Sequence, residues 1–233
     1  MKDDTILIIG ALSGEIKSLL LELEVKEKIQ WKEFEWYVGV LCHKKVVIAR
    51  SGVGKVLSTI VTQKLIDEYK PCAVLFTGIA GSLKSKYQMG DIIIGNSTMQ
   101  HDIDATKFGY SKGHIPYTTY QVIPANEKLV LHAMTCEFDD VSLYQGLILS
   151  GDQFITEKEN LLEFDGDCVD MESAAVALTC YINDVPHLVI RSISDNSDGK
   201  NFPNMKKFLP QVSHRSHMLV KHIINTIEND FIQ

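Results

Sequence analysis

Lys45 to Ser51, Lys55 to Tyr69 and Cys72 to Thr77 read in succession as a strand, a helix and a strand, and this unit restricts the folds open to the chain more than any other feature. Val56, Ile60 and Leu65 recur at helical spacing in the middle segment, whereas Cys72 to Thr77 is a short β-rich run closed by Gly78. Two strands joined by a helix make a crossover unit, which belongs to α/β sheets. Thr5 to Ala11, Asp91 to Ile94, Ser142 to Ser150 and His187 to Ser192 read as further strands. Asn126 to Cys136, Met171 to Ile182 and Met205 to Ile232 read as helices, with Pro210 expected to kink or restart the last. Glu33 to Cys42 and Lys45 to Ser51 flank a turn at His43-Lys44 and predict a hairpin, so the sheet is mixed. The sum is a three-layer α/β/α fold around a twisted mixed sheet of about seven or eight strands.

A chain of 233 residues, 45% hydrophobic and 23% charged, buries a substantial core without staples, and residues 1–233 are expected to form one domain. The net charge of -7 offers no broad positive field to a phosphate backbone, so nucleic acid is not an expected partner and a small ligand is. Five cysteines are scattered without a C-x-x-C pair and read as core filling in a reducing cytoplasm. The apolar run Ile6 to Leu12 follows two aspartates and is too short for a membrane span or a signal.

Chemistry is expected where carboxylates meet the ends of buried strands. Val169-Asp170-Met171-Glu172-Ser173-Ala174-Ala175 puts acid at the start of an apolar helix, and Val189-Ile190-Arg191-Ser192-Ile193-Ser194-Asp195 puts another just past a strand. Two glycine clusters, Ser51-Gly52-Val53-Gly54-Lys55 and Thr77-Gly78-Ile79-Ala80-Gly81, read as tight turns that let a ligand approach the backbone. The first is no Walker loop, because Ala49 and Val56 stand where Gly and Ser or Thr are needed, and Leu57 spoils a dinucleotide fingerprint. His101, Asp102 and Asp104 invite a metal reading, but no second cluster completes a shell.

Eight collinear blocks carry a resemblance: Gly10 to Glu15, Ser51 to Lys55, Thr77 to Gly81, Met89-Gly90-Asp91, His101 to Tyr110, Ser150 to Ile155, Met171-Glu172, and Arg191 to Asp195. From end to end the chain resembles the bacterial 5'-methylthioadenosine/S-adenosylhomocysteine nucleosidases. The resemblance implies a nucleoside phosphorylase-like fold and hydrolysis of the N-glycosidic bond of adenine thionucleosides, with no cofactor and no metal. It implies Asp195 as general acid at adenine N7, a role requiring a proton that an ordinary carboxyl has lost at neutral pH. Glu172 would accept from the ribose hydroxyls and face the positive ring of the transition state. Glu15 would activate the attacking water, with Arg191 helping to hold it. Against these stand plain readings: a loop cap for Asp195, a helix-dipole partner for Glu172, and an exposed helix-start residue for Glu15.

For binding, the resemblance implies Phe154 stacked on adenine and Ile155 reading the base edge through its backbone, with Met171, Val53, Ile79, Ala80, Gly81, Ser194 and Leu12 around the nucleoside. Phe108 and Pro116 would reach across a homodimer interface to cover the partner's 5' substituent, making composite sites; plain core packing is the alternative for Phe108. Two departures stand out. The family's acidic stretch before Glu15 reads Leu12-Ser13-Gly14 here, and Ile79 replaces a serine near the water. The related purine nucleoside phosphorylases bind phosphate through an Arg and a Ser where this chain has Phe76 and Ile79, apolar residues that would strand a buried anion. A phosphorylase and a weakly catalytic nucleoside-binding paralogue are the alternatives to a hydrolase.

Overall fold

The protein is described from a computed structural model covering residues 4–139, 141–195, 197 and 205–227. Strand β1 (Ile6–Gly10) lies wholly inside, and its alternation sets the layers. Ile6 and Ile8 face a core with Ile16 and Leu19 of α1 (Ser13–Glu22), Leu129 and Val130 of α3 (Glu127–Ala133), and Leu219 and Ile223 of α5 (Met205–Thr226). Leu7 and Ile9 face the opposite core, against Val61 and Leu65 of α2 (Lys55–Tyr69) and Val176 and Cys180 of α4 (Ser173–Ile182). Residues 6 to 9 are at most 2% exposed, so each side chain contributes about 1.5–3 kcal/mol of burial. Period-two alternation in a buried strand thus produces the helix, sheet, helix layering that was expected.

The remaining strands are β2 (Glu24–Trp31), β3 (Phe34–Leu41), β4 (Lys44–Arg50), β5 (Ala73–Ser82), β6 (Ile92–Gln100), β7 (Val122–Pro124), β8 (Leu143–Ser150), β9 (Cys168–Asp170) and β10 (His187–Asp195). They join β1 in one 10-stranded sheet. β1 pairs in parallel with β4 and β5, and β5 with β10, so the carboxyl ends of these four strands share one rim. β10 also pairs with β6, and β9 bridges β8 and β5, closing a ring of β5, β10, β6, β8 and β9. This closure brings the end of β9 to the rim where β1, β5 and β10 end.

Several boundaries differ from the sequence reading. β5 continues through Gly78 to Ser82, so Thr77 to Gly81 is strand and not a turn. β6 reaches Gln100 instead of stopping at Ile94, because β8 and the short β7 keep pairing with it. β2 was not anticipated. It is an edge strand whose residues Glu24 to Lys28 are exposed, and such charged edges blunt strand-to-strand association while hiding the apolar alternation. The β3–β4 turn falls on Cys42-His43, both in the left-handed region at φ 51° and 62°, one residue before the expected pair. α5 is one element through Pro210, without a restart, and ends at Thr226; residues 228–233 lie outside the described residues. Among the described residues no helix is long and apolar enough to cross a membrane.

Candidate active site

Gly10 ends β1 and α1 begins three residues later, an abrupt strand-to-helix change that places Glu15 in the first helical turn facing inward. Its carboxylate accepts from the Leu12 amide (2.8 Å) and, across the rim, from the Ile79 amide of β5 (3.0 Å). Glu15 is only 3% exposed, which overturns the reading of an exposed helix-start residue. Burial pushes its carboxyl above the usual carboxylate range, while the Arg191 charge and the backbone donors pull the other way. The result is a desolvated acid whose two oxygens are both fixed by backbone amides. Behind it, His217 of α5 donates through Nε2 to the Glu15 carbonyl, tying the first turn of α1 to the core.

The end of β9 carries a group for which the sequence suggested no separate role. Asp170 accepts from Ser150 Oγ (2.6 Å), from the amides of Glu172 (3.1 Å) and Ser173 (3.0 Å), from Ser173 Oγ, and from Arg191 Nε (2.6 Å). Burial alone would raise its carboxyl; Arg191 and the serine hydroxyls outweigh burial and hold it down, so it stays ionised. A carboxylate in a buried strand such as Val169-Asp170 needs partners, and that was the available signal. Arg191, 1% exposed, lies over the Phe76 ring at 4.1 Å, and both its Nη atoms are buried without a hydrogen-bond partner among the described residues. It supports the cavity from behind and is not among the residues that line it. A Cβ at position 78 would sit 2.5 Å from both Arg191 Nη1 and Glu15 Oε1, so only glycine lets both groups close on β5 at this point.

Glu172 caps the start of α4, but its side chain makes no bond to its own helix. Instead Oε1 accepts from the Gly54 amide at 2.8 Å, drawing the glycine turn before α2 to the rim. Burial, and then the Asp170 charge, push its carboxyl up to about 8. Asp195, the last residue of β10, accepts from Ser194 Oγ (2.7 Å) and from the Ser197 amide (2.7 Å).

These groups surround one cavity of about 220 Å³. Glu15 and Leu12 line it from the β1–α1 junction, and Ile79, Ala80 and Gly81 from β5. Val53 comes from the glycine turn, Phe154 and Ile155 from the segment after β8, Met171 and Glu172 from the β9–α4 junction, and Ser194 and Asp195 from β10. Gln153 and Ser197 line it as well and were not anticipated. Phe154 is half-exposed and lines the cavity with an aromatic ring. Phe108 and Pro116 are not brought to this cavity. Phe108 sits in a single helical turn (Thr106–Phe108) and is 78% exposed, which rules out core packing within the chain. Asp102 holds Lys55 at 2.6 Å, and among the described residues no three His, Cys, Asp or Glu side chains gather as a metal shell.

The chain matches the family described as the phosphorylase superfamily over residues 5–225. It is 36% identical over 231 residues to the 5'-methylthioadenosine/S-adenosylhomocysteine nucleosidase of an Exiguobacterium species, covering 95% of this chain and 97% of that one. The nucleosidase from Neisseria meningitidis, solved in complex with methylthio-immucillin-A, superimposes with a TM-score of 0.91 at 33% identity over 97% of this chain and 100% of that one. The futalosine hydrolase of Helicobacter pylori gives the same score and identity over 96% of this chain and 98% of that one. With its acids gathered on one rim, the chain belongs to the phosphorylase superfamily and, within it, is an enzyme of the 5'-methylthioadenosine/S-adenosylhomocysteine nucleosidase family.

Proposed function

We propose that the protein hydrolyses the N-glycosidic bond of 5'-methylthioadenosine and S-adenosylhomocysteine, releasing adenine and the 5'-thioribose. The observation that carries this reading is the convergence of Glu15, Glu172 and Asp195 on one small cavity with Phe154 at its mouth. In this scheme the purine stacks on Phe154 and turns N7 toward Asp195, which donates a proton as the C–N bond breaks and the electron pair leaves with adenine. Glu172 accepts from the ribose hydroxyls, and its ionised form is favoured once the ring becomes cationic. Glu15 takes the proton of the water that adds to C1'. Arg191 keeps Glu15 and Asp170 compatible in one buried space.

Phosphorolysis is disfavoured by the charges present. Phe76 and Ile79 stand at the phosphate positions, and Arg191 is committed to Asp170 through Nε. Lys55, the cation of the glycine turn, is held by Asp102 and Gln100. Among the described residues that line the cavity there is no Lys or Arg, so a phosphate dianion would meet acids there at high desolvation cost.

We further read the chain as one cytoplasmic nucleosidase domain, in keeping with five unpaired cysteines. It forms a homodimer whose Phe108 and Pro116 complete the partner's 5' pocket. The exposure of Phe108, and of Val56, Leu57 and Ile60 along α2, supports this by leaving apolar surface that a second copy would cover. The futalosine hydrolase likeness adds aminofutalosine-type nucleosides to the substrates worth testing.

The test is adenine release in phosphate-free buffer from methylthioadenosine, S-adenosylhomocysteine, 5'-deoxyadenosine and an aminofutalosine-type nucleoside. Release without phosphate is the expected result. Release that needs phosphate would make the protein a phosphorylase, and tight adenine binding with no cleavage would make it a binding paralogue.

A further inference from the structure

Lys55 closes a ring of three residues that fastens the glycine turn before α2 to the segment carrying Phe154. Its backbone amide donates to Asp152 Oδ1 at 2.8 Å, the Asp152 amide donates to Asp102 Oδ2 at 2.9 Å, and its ammonium donates to Asp102 Oδ1 at 2.6 Å. Gln100 Oε1 takes a further ammonium proton at 3.0 Å. The Lys55 and Asp102 side chains are only 17% and 18% exposed, so water screens this pair less than a surface pair. Lys55 and Asp152 each lie within two residues of a group that lines the cavity or binds one that does. Gly54, one residue before Lys55, donates to Glu172, and Phe154 lies two residues after Asp152. Gly54 itself starts α2 at φ 92° without a side-chain cap, so the carboxylate of Asp152 supplies the anion that the amino end of this helix favours.

We infer that Lys55 is a positioning residue, and that the Lys55–Asp152–Asp102 ring sets the base-stacking segment 151–155 in register with the glycine turn that holds Glu172. The motif Ser51-Gly52-Val53-Gly54-Lys55, which resembles a phosphate loop, is on this account a tether whose lysine serves an internal carboxylate in place of a ligand phosphate. The inference rests on the proposed reading in one respect, that Phe154 stacks on the purine.

Base stacking contributes equally to the ground and transition states, so a loosened segment shows in binding more than in turnover. Lys55→Met and Asp102→Asn each break one edge of the ring while keeping most of the side-chain volume. Each is expected to weaken adenine binding and raise KM by about tenfold, the loss of one charge-assisted hydrogen bond, with kcat changed much less. The double variant should lose no more than either single one, because a ring opened once is already open. Hydrogen exchange of residues 151–155 should speed up in both singles, with thermal midpoints within about 3 °C of the wild type.

Unchanged exchange of this segment in both singles would overturn the inference. So would unchanged adenine affinity, or a loss tracking a fall in thermal midpoint. A wild-type protein that binds no adenine would count against the proposed function instead, and the exchange measurement would still judge the ring.

Discussion

Glu172 concentrates the electrostatic cost of the site. Its carboxyl is raised from 4.5 to about 8 in the folded, empty protein, so the native state holds a proton there that the unfolded chain gives up. The contribution to stability is full below the unfolded value and is lost as pH rises through about 8. Glu172→Gln imitates the protonated acid and removes this dependence. Its stability advantage over the wild type should be larger at pH 9 than at pH 5 by roughly 4 kcal/mol, read from denaturant midpoints at the two pH values. Equal differences at both would show that the acid is ionised throughout. The residue types of the site were legible in the chain, since Glu15, Glu172 and Asp195 stand at element ends where acids are exposed to ligands. Their environment was not. Nothing in Leu12-Ser13-Gly14-Glu15 announces that the side chain folds back on its own turn and under the Ile79 amide, because that contact joins positions 64 residues apart.

At the scale of elements, β9, α4 and β10 are tied together by Asp170, and β5 passes between Arg191 and Glu15 only because residue 78 has no side chain. Asp170→Asn would leave the Arg191 guanidinium buried without a carboxylate, an expected loss of about 3–5 kcal/mol in chemical denaturation. Gly78→Ala would push its Cβ into both Arg191 Nη1 and Glu15 Oε1. A displacement of this size is expected to lower adenine release by about 100-fold, with a stability cost of about 1–3 kcal/mol. Activity within a few-fold of the wild type would mean that the placement of these two groups does not matter to the reaction. The crossover unit and the buried strands were readable from apolar runs, and the extension of β5 past Gly78 was not. A glycine inside a strand signals close approach as readily as a turn, and the neighbour that decides between them, β10, lies more than a hundred residues onward. β2 went unseen for the opposite reason: its charged, exposed edge leaves no periodic signal.

For the whole molecule, the closed ring of β5, β10, β6, β8 and β9 explains how one rim collects side chains from distant parts of the chain. The same rim leaves Phe108 away from its own cavity, and the proposed dimer gives that residue a place. Phe108→Ala should raise KM for methylthioadenosine by roughly 5- to 30-fold, with adenine affinity unchanged, since an aromatic contact worth about 1–2 kcal/mol is lost at the 5' end only. Sedimentation should give twice the chain mass for both proteins, and a monomeric active wild type would remove the composite site. The most direct test of the central claim is a crystal structure of the Asp195→Asn protein soaked with methylthioadenosine. The account predicts an intact nucleoside, its purine on Phe154, N7 within hydrogen-bond reach of residue 195 and ribose hydroxyls on Glu172. A purine bound away from residue 195, or a nucleoside cleaved in the crystal, would contradict it.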